Sequence, residues 1–231
     1  MQSPSPITTV LFDLDDTLLE YNRSRAATLR AAFDDAGTEP FCGPEDLRRA
    51  ARAVEGADSD REFLRHLFAV AADRAGASDR CDPAALARAY DGARDHADVA
   101  FRPGAEAALA LREEYAVGLI TNGSRATQRT KLEALGIDDA FETAVYAGDG
   151  VASKPDPEPF ERALAALDAT PAECLYVGNS LYADVRGAGD AGLRTAWFPT
   201  SDAADANPDP DPVPDYVLDS LSDLPALLRA A

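Results

Sequence analysis

Four short stretches of this 231-residue chain carry side chains suited to moving a phosphoryl group. Asp13-Leu14-Asp15-Asp16-Thr17 sets two carboxylates two positions apart, and Thr121-Asn122-Gly123-Ser124 offers a hydroxyl within a turn. Ser153-Lys154-Pro155 supplies an ammonium, and Gly178-Asn179-Ser180 is an oxygen-rich turn with Asp184 following. If the chain leaves a strand between Asp13 and Asp15, the two can divide the labour. Asp13 would attack phosphorus and form an aspartyl-phosphate. Asp15 would protonate the leaving oxygen and then activate water. Mg²⁺ requires near-octahedral oxygen donors and keeps several waters, so one or two carboxylates with carbonyls suffice to hold it. Thr121, with the amides of Asn122 and Gly123 at a helix start, can hold phosphate oxygens. Lys154 would offset charge on the nucleophile and the transferring group. Taken singly, each pattern has a plainer reading. The acids can be helix caps, Asp16 above all, or a phosphorelay site; the other three can be ordinary turns or a solvated lysine.

What separates these readings is where the elements place the four stretches. Residues 8–13 form a short apolar, β-branched run ending in acids, which predicts a buried parallel strand. Further strands are predicted at 116–122, 141–148, 174–179 and 193–198, with a closing strand at DYVLDS. Helices are predicted between them, with Ser124 as an N-cap, Gly136 as a stop and prolines opening the helix of DPEPFERALAALD. From Asn22 to about Asp98 the pattern changes to four helices without a strand, punctuated by Gly37, Pro44, Gly56, Gly76 and Pro83. SDAADANPDPDPVPD is acidic and proline-rich and predicts a surface loop. The fold class is therefore α/β, a doubly wound parallel sheet with right-handed crossovers and an inserted all-helical domain. The expected division is 1–20 with 100–231 as the core and 21–99 as the insert. Each chemical stretch then follows the carboxyl end of a strand, the edge where such sheets bind ligands.

Composition narrows the surroundings. The apolar fraction of 46% excludes a disordered tail. No apolar run is long enough to span a bilayer and no secretory leader is visible, which predicts a cytoplasmic protein without a membrane partner. Cys42, Cys81 and Cys174 show neither a disulfide framework nor zinc-ligand spacing. The net charge is −19, and Lys131 and Lys154 are the only lysines, every other basic residue being Arg. Such a surface is expected in salt-accumulating cells, where ions screen the self-repulsion, or in a GC-rich genome that favours Arg. Either way it disfavours nucleic-acid partners and calls for local positive charge where an anionic substrate binds.

FDLDDTL, the strand end at Thr121, SKPDP and GNSLYADV resemble, in order, the four motifs of the haloacid dehalogenase superfamily, and the likeness extends over nearly the whole chain. The helical block between the first two motifs resembles that family's C1-type cap. This points to the subfamily of phosphoglycolate and sugar-phosphate phosphatases, nucleotidases, phosphonatase and 2-haloacid dehalogenase. The resemblance implies Asp13 as nucleophile, Asp15 as acid/base, Thr121 and Lys154 on the phosphate, and a Mg²⁺ held by Asp13, the Asp15 carbonyl, Asn179 and Asp184. Asp15 favours phosphate-ester hydrolysis, because the family's dehalogenases generally lack this second acid. One departure stands out: Asn179 replaces the usual first acid of the fourth motif, removing one negative charge from the metal site. The expected protein is a Mg²⁺-dependent hydrolase of small phosphate monoesters, monomeric or homodimeric. A 2-haloacid dehalogenase, a phosphotransferase or mutase, and a metal-impaired regulatory protein are the alternatives. Tyr21, Asn22, Arg23 and Arg25 could reach a substrate anion or lie on a solvated face. His66 and His96 read as surface or packing residues, and Phe63, Leu64, Leu67, Phe68 and Tyr90 as the core of the insert.

Overall fold

The structure is a computed structural model that describes residues 5–54, 57, 59–148, 150–200 and 210–230. Gly56 and the first nine residues of the acidic proline-rich stretch, 201–209, lie outside the described residues.

Six parallel strands form the main sheet: β1 (Thr9–Phe12), β4 (Ala116–Asn122), β5 (Thr143–Ala147), β6 (Cys174–Gly178), β7 (Arg194–Trp197) and β8 (Tyr216–Val217). Their order is β5-β4-β1-β6-β7-β8. β1 is flanked by β4, with Val10 opposite Val117, and by β6, with Val10 opposite Leu175. Because β1 is central, its four residues are all buried, and so are the five of β6. A strand covered on both faces has no polar side to alternate with, which is why these segments read as unbroken apolar runs. The winding direction reverses at β1, so the crevice beyond its carboxyl end is where a ligand site forms.

Helices α5 (Ala105–Leu109), α6 (Arg125–Leu135), α7 (Glu158–Ala166) and α8 (Gly187–Asp190) connect the strands, and a helix at Leu224–Ala230 closes the chain. The predicted caps of α6 are in place: the Ser124 hydroxyl accepts from the Thr127 amide at 3.3 Å, and Gly136 ends the helix at φ 67°. The continuous helix predicted after Asn179 is instead a π-helical turn, Leu181–Arg186, leading into α8. Asp16 does not cap a helix, correcting that expectation. It lies in a turn at φ 60°, its amide donating to the Leu19 carbonyl at 2.7 Å, and the chain continues into a strand.

Two compact units result, one comprising Met1–Glu20 with Val99–Ala231 and the other Tyr21–Asp98. The second holds α1 (Arg25–Asp35), α2 (Pro44–Ala51), α3 (Asp60–Arg74) and α4 (Pro83–Gly92), packed around Phe33, Leu64, Leu67, Phe68 and Leu86, with Phe63 and Tyr90 against that cluster. Two three-residue strands, β2 (Leu19–Tyr21) and β3 (Val99–Phe101), pair where the chain passes between the units. In the helical unit, Tyr21 hydrogen-bonds His96 at 2.6 Å, Asn22 donates to Asp98 at 2.7 Å, and Arg23 donates to the Ala93 carbonyl at 3.0 Å. Asn22 and Arg23 thus hold neighbouring parts of their own unit.

Candidate active site

Asp13 directly follows β1, its amide donating to the Val177 carbonyl of β6 at 2.9 Å. Parallel pairing on both sides fixes this residue at the sheet edge. Its Oδ2 accepts from the Thr17 hydroxyl at 2.9 Å and its Oδ1 from Lys154 Nζ at 2.8 Å. The Lys154 ammonium is surrounded by four acceptors: Asp13 Oδ1, Asp184 Oδ1 at 2.7 Å, Tyr176 Oη at 2.7 Å and the Ile120 carbonyl at 2.9 Å. An ammonium has three protons, so it is fully engaged and its charge is shared between two carboxylates. Burial pushes the Asp13 carboxyl up to about 7 against the opposing pull of Lys154, and Asp184 and Asp15 add to the rise. Burial would lower Lys154, yet Asp13 and Asp184 hold it above its ordinary value and keep it charged. Burial, with Asp184 and Asp13 nearby, puts the Tyr176 hydroxyl far above its ordinary range, so it stays protonated and donates to the Ile120 carbonyl at 3.0 Å.

Lys154 is held by its backbone as well. Asn122 Oδ1 accepts from the Lys154 amide at 2.9 Å while its Nδ2 donates to the Lys154 carbonyl at 3.1 Å. The Asn122 side chain therefore ties the end of β4 to the Lys154 loop. The Gly123 amide donates to the Ala147 carbonyl at 2.7 Å, in a left-handed turn at φ 135° that a side chain would strain. Of the two amides expected to cradle phosphate, that of Gly123 is thus engaged within the protein. Thr121 is placed differently: its buried hydroxyl accepts from Gln128 Nε2 at 2.6 Å, which leaves its own proton to donate to an oxyanion.

Asp184 lies in the π-helical turn, its Oδ2 accepting from the Ser180 amide at 2.9 Å. The turn brings it so close to β6 that a Cβ on Gly178 would stand 2.5 Å from the Asp184 Cβ and Cγ. Glycine at 178 is what lets the carboxylate reach Lys154. Asn179 is fixed at its backbone, where its carbonyl accepts from Trp197 Nε1 at 2.9 Å.

Asp15 has a separate environment. Both its oxygens accept from Lys131 Nζ at 2.8 Å, and Oδ2 also accepts from Gln128 Nε2 at 2.9 Å. The two acids of the first motif are therefore paired with different cations, Asp13 with Lys154 and Asp15 with Lys131. Sequence reasoning singled out Asp13, Asp15, Thr121, Lys154 and Asp184 from their places after strands, and the structure links Asp13 and Asp184 through Lys154, and Asp15 and Thr121 through Gln128. That reasoning missed Thr17, Gln128, Lys131 and Tyr176. For Tyr176 a signal existed, since a buried tyrosine needs a partner for its hydroxyl.

Among the described residues no group of three or more His, Cys, Asp or Glu side chains is arranged to hold a metal. Two buried carboxylates, those of Asp13 and Asp184, share the one Lys154 ammonium. Carboxylates are hard oxygen donors, so a hard divalent cation fits the charge of this pair.

The chain belongs to the haloacid dehalogenase-like hydrolases, whose family model matches residues 7–192. It is 31% identical over 235 residues to glyceraldehyde 3-phosphate phosphatase of Methanopyrus kandleri, covering 96% of this chain and 97% of that one. It is 36% identical over 121 residues to N-acylneuraminate-9-phosphatase of Rattus norvegicus, a match that spans 52% of this chain and about half, 48%, of that protein. Among solved structures it resembles the HAD-hydrolase YfnB of Bacillus subtilis bound to magnesium, at 26% identity and a TM-score of 0.76 over 97% of this chain and 100% of that one. It also resembles 2-haloacid dehalogenase of Pseudomonas syringae, at 27% identity and a TM-score of 0.61 over 97% and 100%.

Proposed function

We propose that this hydrolase cleaves small phosphate monoesters through an aspartyl-phosphate on Asp13, with Mg²⁺ as cofactor and the helical unit Tyr21–Asp98 in the part of a substrate-selecting cap. The observation that carries the reading is the separation of the two acids. Two carboxylates held by different cations can take different roles, one as nucleophile and one in proton transfer. Asp13 would attack phosphorus as the ester oxygen departs with a proton from Asp15. Asp15, now ionised, would take a proton from the water that releases inorganic phosphate and restores Asp13. The Thr121 hydroxyl would donate to the phosphoryl oxygens, and Lys154 would hold Asp13 in place while offsetting its charge. Asp13, Asp184, Asn179 and the Asp15 carbonyl would hold Mg²⁺, which supplies charge neutralisation at the phosphoryl oxygens. Asn122 acts through Lys154, and the Gly123 turn shapes the end of β4 beside Thr121.

The test is p-nitrophenyl phosphate hydrolysis in high KCl, with and without Mg²⁺, for the wild type and Asp13→Asn. Turnover that requires Mg²⁺ and disappears in the variant is expected. Substrate comes next, and three-carbon esters head the panel. A relative is named for glyceraldehyde 3-phosphate, and another, 32% identical over 243 residues, is the phosphoserine phosphatase of Thermus thermophilus. Metal-independent halide release from a 2-haloacid, without phosphatase activity, would overturn the proposal in favour of dehalogenation.

A further inference from the structure

Helix α6 buries an unusual set of residues. Those it turns inward are Gln128, Lys131 and Leu132, so two of three are polar. Gln128 and Lys131 are one turn apart on one helix face. Lys131 is 4% exposed, and burying an ammonium is costly unless it is paired with good geometry. Here both Asp15 oxygens are 2.8 Å from its Nζ. Gln128, 1% exposed, places one Nε2 within reach of three acceptors: Asp15 Oδ2 at 2.9 Å, Thr121 Oγ1 at 2.6 Å and the Asn122 carbonyl at 3.0 Å. An amide nitrogen has only two protons, so Gln128 is confined to this junction. The chain otherwise uses Arg for every basic residue, yet its only two lysines are both buried against the acids of the first motif. The two cations are not interchangeable in such a pair, an ammonium being a compact point charge and a guanidinium a planar fork.

We infer that Lys131 is a positioning residue, which together with Gln128 fixes the Asp15 carboxyl beside Thr121 so that it meets the leaving oxygen of the ester. The inference rests on the acid/base role proposed for Asp15. A carboxyl free to rotate into water would spend little time aimed at the oxygen, and proton transfer depends on that aim. The need for a proton grows with the basicity of the leaving group. Loss of aim should therefore harm phenyl phosphate far more than p-nitrophenyl phosphate.

The experiment measures kcat/KM for both esters, with Mg²⁺, in the wild type, Lys131→Met, Lys131→Arg and Asp15→Asn. This parameter covers steps only through departure of the leaving group, so later water attack does not enter it. For Lys131→Met we expect a loss of about tenfold or more on phenyl phosphate and under about threefold on p-nitrophenyl phosphate, in line with the usual size of general acid catalysis. Lys131→Arg should fall between the variant and the wild type. Equal losses on both esters would mean a merely structural role and overturn the inference. A rise on either ester would also overturn it, since Lys131 would then be restraining Asp15. Asp15→Asn separates the two claims. Selectivity in Asp15→Asn without selectivity in Lys131→Met sinks the positioning role alone; no selectivity in Asp15→Asn sinks the acid/base reading and the inference with it. Circular dichroism confirms folding, and if Lys131→Met does not fold, a phenyl-selective loss in Lys131→Arg, or its absence, decides.

Discussion

Asp13 must carry its charge in a buried place. Its carboxyl is pushed by burial to about 7, from an ordinary 3.8. A folded-state value above the unfolded one means that this group's contribution to stability is fully present at low pH and is lost as pH rises through 7. A bound cation must displace that proton, so the protection Mg²⁺ gives against thermal unfolding should grow from about pH 6 to about pH 8. Melting curves in Mg²⁺ and in chelator at both values check this, and equal shifts would mean that Asp13 does not titrate there. Lys154→Met removes the ammonium shared by Asp13 and Asp184. Breaking a buried pair leaves uncompensated charge, and we expect a loss of about 3 kcal/mol in urea unfolding, partly restored by Mg²⁺. At this scale the sequence was informative where chemistry follows a strand end, as at Asp13, Thr121 and Lys154. It was silent on Lys131 and Gln128, because polar residues in a helix ordinarily face water, and nothing in the periodicity of α6 shows that the sheet edge turns them inward.

Among the elements, the π-helical turn after β6 does the most for the site. It sets Asp184 against Gly178, and an added methyl group there would overlap Asp184 atoms at 2.5 Å. Gly178→Ala should therefore cost about 1–3 kcal/mol by overpacking and weaken Mg²⁺ binding at the same time. Urea unfolding and calorimetric titration measure the two effects, and a variant with unchanged metal affinity would show that Asp184 can move without loss. The sheet and its helices were legible because buried parallel strands read as apolar runs and the breaks fall at Gly and Pro. The π-helical turn was not, since its extra residue per turn leaves no mark in a segment of six. Strands β2 and β3 are three residues each, too short to establish an alternation.

For the molecule as a whole, a net charge of −19 opposes compaction. Screening lengths shrink from about 10 Å at 0.1 M salt to about 3 Å at 1 M. Raising KCl over that range should lift the melting temperature by about 3 °C or more, the shift that roughly 1 kcal/mol produces in a protein of this size. A flat or falling curve would show that the acidic surface is already neutralised within the fold. Among the described residues no helix is long and apolar enough to cross a membrane.

The burial of both lysines withholds their amines from reagents in the folded protein. An acylating reagent would find neither Lys131 nor Lys154 until the site opens, because each is 4% exposed and paired with a carboxylate. Acylation would therefore act as a clock. Its rate at each lysine, read by mass spectrometry, would report how often that half of the site comes apart, and a ligand that tightens the site would slow it.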